Sequence, residues 1–212
     1  MEITWLGHSC FKLKGKNGTV ITDPFGSASG YQLGKVTASI VTVSHDHPGH
    51  NFASGVDGEP KVITGPGEYE IAGIFIYGVR TFHDSKKGEE RGRNTAYLIE
   101  IDDIKVCHLG DLGHVPSAAQ LDEISDADVL LIPVGGGSSL DAATAIEVVN
   151  IMSPTFVIPM HYKTDASTGE LEPPDKFLQE MGMKEITPVP KLVINKSTMP
   201  LDMQTVVMDY KQ

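Results

Sequence analysis

Cysteine is scarce in this chain: Cys10 and Cys107 are the only two among 212 residues, and each lies in an apolar, strand-like segment. That excludes a disulfide framework and favours buried free thiols in a reducing compartment. No apolar run approaches membrane-spanning length. The opening Met1-Glu2-Ile3-Thr4-Trp5-Leu6-Gly7-His8 has neither a basic nor a long apolar segment, so it is not read as a signal peptide, and a cytoplasmic protein without a membrane partner is expected. Positive charge is also short. Lys and Arg number 17 against 28 Asp and Glu, a formal net charge of −11, and such a surface repels phosphate backbones. The one basic cluster, Lys86-Lys87 with Arg91 and Arg93, is interrupted by Glu89-Glu90 and reads as a solvated loop. Nucleic acid is therefore not an expected partner. Internal repeats and low-complexity tracts are missing too. With 40% hydrophobic and 21% charged residues the chain is an ordinary globular one, and one domain over residues 1–212 is expected.

What is present is strand-rich. Ile3 to Leu6, Cys10 to Leu13 and Thr19 to Thr22 read as an antiparallel opening, the last two joined by the turn residues Lys14 to Gly18. Further strands are expected at Ala38 to Val43, Lys61 to Thr64, Gly73 to Val79, Thr95 to Ile101, Ile104 to Leu109, Val129 to Val134 and Phe156 to Met160. Short ones close the chain at Lys191 to Val193 and Thr205 to Met208. Helices are expected at Pro116 to Ile124, with Ser117 as a cap, at Asp141 to Ile151, ended by Ser153-Pro154, and at Asp175 to Met181. Gly135-Gly136-Gly137-Ser138-Ser139 lacks the lysine of a phosphate-binding loop and the spacing of a dinucleotide fingerprint, so it reads as a strand-to-helix loop near the site.

The densest chemistry lies in Ser44-His45-Asp46-His47-Pro48-Gly49-His50-Asn51, where three histidines follow an apolar β-branched run. On an extended segment His45 and His47 converge while Asp46 points away, and a turn at Pro48-Gly49 brings His50 back. Imidazole is the usual ligand for zinc and its neighbours. Other strands end alike: one before His83, one before His108 and Asp111, one before His161. Ligand types gathered at the carboxyl ends of several strands imply one shared sheet edge. His8 reads first as a structural histidine bonded to buried backbone, with a supporting role at the site second. His108, three residues before Asp111, reads as a residue that orients a ligand. His114 and Glu68 read as loop and turn residues, Trp5 and Met160 as core.

This order of segments resembles the metallo-β-lactamase-fold hydrolases, with His-x-His-x-Asp-His, a lone His, a Gly-Asp pair and a late His. It is most similar to their small single-domain branch, which includes ascorbate-6-phosphate lactonase-like proteins, through Gly7-His8-Ser9, Asp23-Pro24-Phe25, His108-Leu109-Gly110-Asp111 and Pro159-Met160-His161-Tyr162. The matched motifs cover roughly residues 1 to 165. The resemblance implies an α/β (α+β) fold, a four-layer αββα sandwich with two mixed sheets face to face, helices on both outer faces and the site at one edge. It assigns His45, His47 and His83 to a first metal, His50 and His161 to a second, and Asp111 as the bridge. Asp111 and His108 are then the candidate catalytic residues.

One ligand of that pattern is missing, because Gly49 stands where the family has the Asp of His-x-His-x-Asp-His. The second site keeps His50, His161 and a share of Asp111, and it is expected to be empty, water-completed or only partly occupied while the first fills. The function expected is metal-dependent hydrolysis of a small ester, lactone or phosphodiester by a hydroxide on one or two zinc ions, manganese or iron being the other candidates. Two alternatives stand beside it: a metal-binding protein with weak or no hydrolysis, supported by Gly49, and a nuclease of the same fold, which would need a basic face.

Overall fold

The protein is described from a computed structural model, covering residues 1–210. In chain order the strands are β1 (Glu2–Gly7), β2 (Cys10–Lys14), β3 (Thr19–Thr22), β4 (Val36–Thr37), β5 (Ile40–Val43), β6 (Val56–Asp57), β7 (Lys61–Thr64), β8 (Gly67–Ile71), β9 (Ile74–Phe82), β10 (Arg93–Ile101), β11 (Ile104–His108), β12 (Val129–Pro133), β13 (Phe156–Met160), β14 (Leu192–Val193) and β15 (Gln204–Thr205). Three α-helices join them: α1 (Ala118–Ile124), α2 (Ala142–Met152) and α3 (Asp175–Glu180). Ser117 caps α1 in a reciprocal capping box with Gln120, and the Asp141 carboxylate accepts from Thr144 N to start α2. Ser153, in the left-handed region ahead of Pro154, stops α2.

Two sheets carry the fold. The first runs β14-β1-β2-β3-β5-β7 and the second β15-β13-β12-β11-β10-β9-β8. Each contains the same five-strand progression. In the first, β1-β2-β3 pair antiparallel and β3-β5-β7 parallel; in the second, β9-β10-β11 pair antiparallel and β11-β12-β13 parallel. The two halves of the chain thus repeat one topology without repeating a sequence.

Alternation along the strands explains the layering. In the first sheet Phe11, Leu13, Val20 and Ile40 join the large core, whereas Cys10, Ile21, Val41 and Val43 belong to a separate apolar cluster with Phe25, Tyr31, Val36 and Val56. The second cluster covers the other face of that sheet with a glycine-rich loop and the small β4–β6 pair. All three α-helices lie with the second sheet: α1 packs on β9 and β10, α2 on β12, and α3 on α2. The helical covering expected on both outer faces is therefore one-sided. The physical reason is the composition of residues 24–38, whose three glycines and Pro24 give no helical period.

Tyr97 on β10 ties the sheets together. Its hydroxyl donates to Val43 O at 2.9 Å and accepts from Gly65 N at 2.8 Å, where β5 hands over to the histidine stretch. Glu68, expected in a turn, lies instead in β8, which Gly65-Pro66-Gly67 disguises in the sequence. Both cysteines are free and buried, as read. No helix among the described residues is long and apolar enough to cross a membrane.

Candidate metal centre

His45, His47, His50, His83, His161 and Asp111 come together at one edge, the carboxyl ends of β5, β9, β11 and β13. With His8, Gly137 and Ser138 they line a cavity of about 720 Å³. The centre is Asp111. Its Oδ2 lies 3.1 Å from His50 Nε2, 3.3 Å from His83 Nε2 and 3.4 Å from His161 Nε2. Potential ligand atoms fall into three groups, each within 4.8 Å: His45, His47 and His50; His45, His83 and Asp111; and His8, His50 and His161. His47 and His83 each join His45, in separate groups.

The stretch after β5 is not extended as expected. His47 N bonds His45 O at 3.0 Å and His50 N bonds His47 O at 2.8 Å, so the chain turns at once, and the rings of His45 and His47 still stack 5.8 Å apart. The Asp46 carboxylate accepts from Asn51 Nδ2 and joins none of the ligand groups, although the residue borders the cavity.

Three of the outer ring nitrogens are held by protein, whereas Nδ1 of His83 has no hydrogen-bond partner among the described residues. His45 Nδ1 meets Ser44 Oγ at 2.9 Å, His50 Nδ1 meets Asp23 Oδ2 at 2.8 Å and His161 Nδ1 meets Ser139 Oγ at 3.3 Å. Each Nε2 is thereby left for the cavity, and the buried Nε2 of His45 has no hydrogen-bond partner among the described residues. Imidazoles fixed from behind and aimed at a shared carboxylate are arranged as metal ligands, so the residues present fit a metal ion.

Electrostatics agrees. Burial opposes charge on every ring, and with the repulsion of His50 it takes the His45 pKa down to about 4; for His8, burial together with His161 and His50 takes it to about 2. His50 differs. Burial opposes its charge as well, but Asp111 and Asp23 outweigh that and raise it to about 10. Burial likewise opposes ionisation of Asp111, yet His161 and His50 hold its carboxyl well below the usual range. The His50 ring thus lies between two buried carboxylates, Asp23 at its Nδ1 and Asp111 at its Nε2, a setting that favours positive charge.

Asp23 escaped the sequence reading as a site residue. Its carboxylate accepts from Ser44 N at 2.8 Å, Ser44 Oγ at 2.6 Å and His50 Nδ1, so it pins the start of the histidine stretch. Asn94 was missed too: it accepts from Asp111 N at 3.1 Å and donates to Leu109 O at 2.9 Å. Gly110 makes that contact possible, since at φ +58° a Cβ would collide with Asn94 Oδ1 and Ser44. Asp23 at least stood at a strand end, the signal that found the histidines; Asn94 gave none.

His108 is corrected. It is fully buried and outside the cavity, with Nε2 on Ser9 O at 2.7 Å, while Ser9 Oγ donates to Asp111 Oδ1 at 3.4 Å. It supports the loop carrying Asp111 and cannot touch a substrate. His8 is corrected in the opposite direction. Its carbonyl does hold structure, accepting from Trp5 Nε1 and His161 N, but its ring faces the site, 4.4 Å from that of His161. His114 is half-buried rather than a free loop residue, accepting from Phe82 N at 3.1 Å.

A second cavity of about 810 Å³ adjoins the first, sharing His45, Asp46 and Arg91. Arg80, Arg91 and Arg93, all the arginines of the chain, line it, and none makes an ion pair among the described residues. The neighbouring Lys86, by contrast, is paired with Glu90.

Strand topology and a histidine-aspartate cluster at one edge define a metal-site protein, and the chain belongs to the β-lactamase superfamily, whose domain model matches residues 2–161. Within it the chain is similar to a family UPF0173 protein of Pyrococcus abyssi, 31% identical over 77% of this chain and 84% of the relative. It is also similar to a UPF0173 metal-dependent hydrolase of Pelotomaculum thermopropionicum, 30% identical over 77% and 85%. A solved Thermotoga maritima structure of the metallo-β-lactamase superfamily, proposed to be a Zn-dependent hydrolase, superposes with a TM-score of 0.81 at 40% identity, covering 98% of this chain and 97% of that one. The protein is a metal-dependent hydrolase of that superfamily with the metallo-β-lactamase fold.

Proposed function

We propose that the protein hydrolyses a small ester, lactone or phosphodiester carrying an anionic group, using one or two divalent metal ions, zinc before manganese or iron. The observation that carries this reading is the convergence of three imidazole Nε2 atoms on Asp111 Oδ2 at 3.1–3.4 Å. A bound metal would lower the pKa of its water from about 15.7 towards 7 and polarise the scissile oxygen. His45, His47 and His83 would hold a first ion with Asp111. Ser9 and Asn94 keep Asp111 in place, and its low pKa leaves it an acceptor throughout the neutral range. The adjoining cavity supports the substrate class. Unpaired guanidiniums recognise phosphate or carboxylate, and Arg91 reaches both cavities, so an anion held there sets the scissile bond beside the histidines.

The test is a panel of phosphorylated and carboxylated esters and lactones, each with a neutral analogue, assayed with zinc-loaded and chelator-stripped protein. Metal-dependent turnover favouring the anionic member is expected. Equal rates after stripping would remove the metal from the reaction. Tight zinc binding without turnover on any substrate would favour the non-hydrolytic alternative that Gly49 suggests.

A further inference from the structure

We propose that His8 replaces the carboxylate missing at position 49 and, with His50 and His161, holds the second metal ion. This rests on the metal-dependent reading of the same site. The argument starts from the glycine. Its φ lies outside the left-handed region, so the backbone there does not require glycine. What excludes a side chain is space: a Cβ on residue 49 would stand 2.9 Å from His8 Nε2 and 3.2 Å from His47 Nδ1. The volume an aspartate would enter is already filled by an imidazole.

That imidazole is aimed. The chain leaves β1 through Gly7 at φ +105° and His8 at φ +55°, a turn whose cost is met by two hydrogen bonds to the His8 carbonyl, from Trp5 Nε1 at 3.0 Å and His161 N at 3.1 Å. The ring lies 4.4 Å from that of His161 and 4.9 Å from that of His50, and one nitrogen of each falls within 4.8 Å of the others. Ligands on a tetrahedral zinc with bonds of 2.0–2.1 Å stand about 3.4 Å apart, so a contraction of at most about 1.4 Å closes the site. Topology supports the same assignment. His8 follows β1, the first strand of the first five-strand progression, as His83 follows β9, the first strand of the second.

The substitution has a chemical consequence. Three neutral imidazoles and a shared Asp111 offer less negative charge than the carboxylate-containing pattern, which disfavours oxygen-seeking manganese and keeps affinity for zinc. The first site, where Asp111 is joined by His45 and His83, does not depend on His8.

Metal content per folded chain tests this, measured by elemental analysis after zinc loading and dialysis, with circular dichroism as the folding control. The full chain is expected to hold two equivalents, His8→Ala one, and the double variant His8→Ala/Gly49→Asp two again, because deleting the ring opens the space for a carboxylate. Gly49→Ala alters no proposed ligand yet presses on His8, so it is expected to weaken the second equivalent about tenfold. Manganese alone is expected to fill one site. Two equivalents retained in His8→Ala, or only one in the unmodified chain, would overturn the assignment while leaving the first site intact. No bound metal in the unmodified chain would instead bring down the proposed function itself.

Discussion

Asp111 has no direct bond to His108, yet Ser9 links them: the backbone carbonyl of Ser9 faces His108 Nε2 and its hydroxyl donates to Asp111. His108→Ala is therefore expected to keep both metal equivalents with an affinity lower by about 10–100-fold, whereas His47→Ala loses an equivalent outright. Chelator competition on the two variants side by side distinguishes them. Equal loss would make His108 a ligand. Residues whose chemistry is their own were legible in the sequence, since His45, His47, His50, His83, His161 and Asp111 each stand just past an apolar strand. Residues that act through another were not. Asp23 and Asn94 work by hydrogen bonds to groups 15 to 27 positions away, and no local pattern encodes such a partner. That the His8 ring lies beside His161 and next to Gly49 was not legible either, because that proximity exists only in three dimensions.

The charged loop between β9 and β10 is more than a solvated surface. The Asp84 carboxylate accepts backbone N–H bonds from Lys86 at 2.8 Å, Gly88 at 2.9 Å, Glu90 at 3.1 Å and Arg91 at 2.7 Å, fixing the loop that carries Arg91 between the two cavities. Arg91→Ala is expected to raise KM at least tenfold for anionic substrates, with little change for their neutral analogues and none in metal content. Asp84→Ala should reproduce that pattern more weakly and add protease cleavage within residues 84–91. A loss shared equally by neutral substrates would show that the arginine supports the fold instead of recognising charge. The helices and the long strands were readable from caps and apolar runs, because those signals are local. The covering of the first sheet by loop and by the β4–β6 pair was not, since nothing in residues 24–38 announces which sheet they pack on.

At the scale of the whole molecule the site takes His8, His45, His47 and His50 from the half ending with β7, and His83, Asp111 and His161 from the half beginning with β8. A bound ion is therefore a cross-link between sheets, and it stabilises the folded chain by about 2.7 kcal/mol when the free ion stands at 100 times its Kd. Chelation is expected to lower Tm by several degrees, and zinc to restore it, in a thermal melt followed by circular dichroism. An unchanged Tm would mean that the edge is held by protein contacts alone. The same division bears on synthesis. During elongation the first half emerges with three clustered histidines, but Asp111 and His161 are made later, and residue 161 must leave the ribosome before the ring of donors can close. The second group of donors, His8, His50 and His161, would thus be completed last, and a chain stalled before β13 would already carry His45, His83 and Asp111 but lack the third donor of the other group.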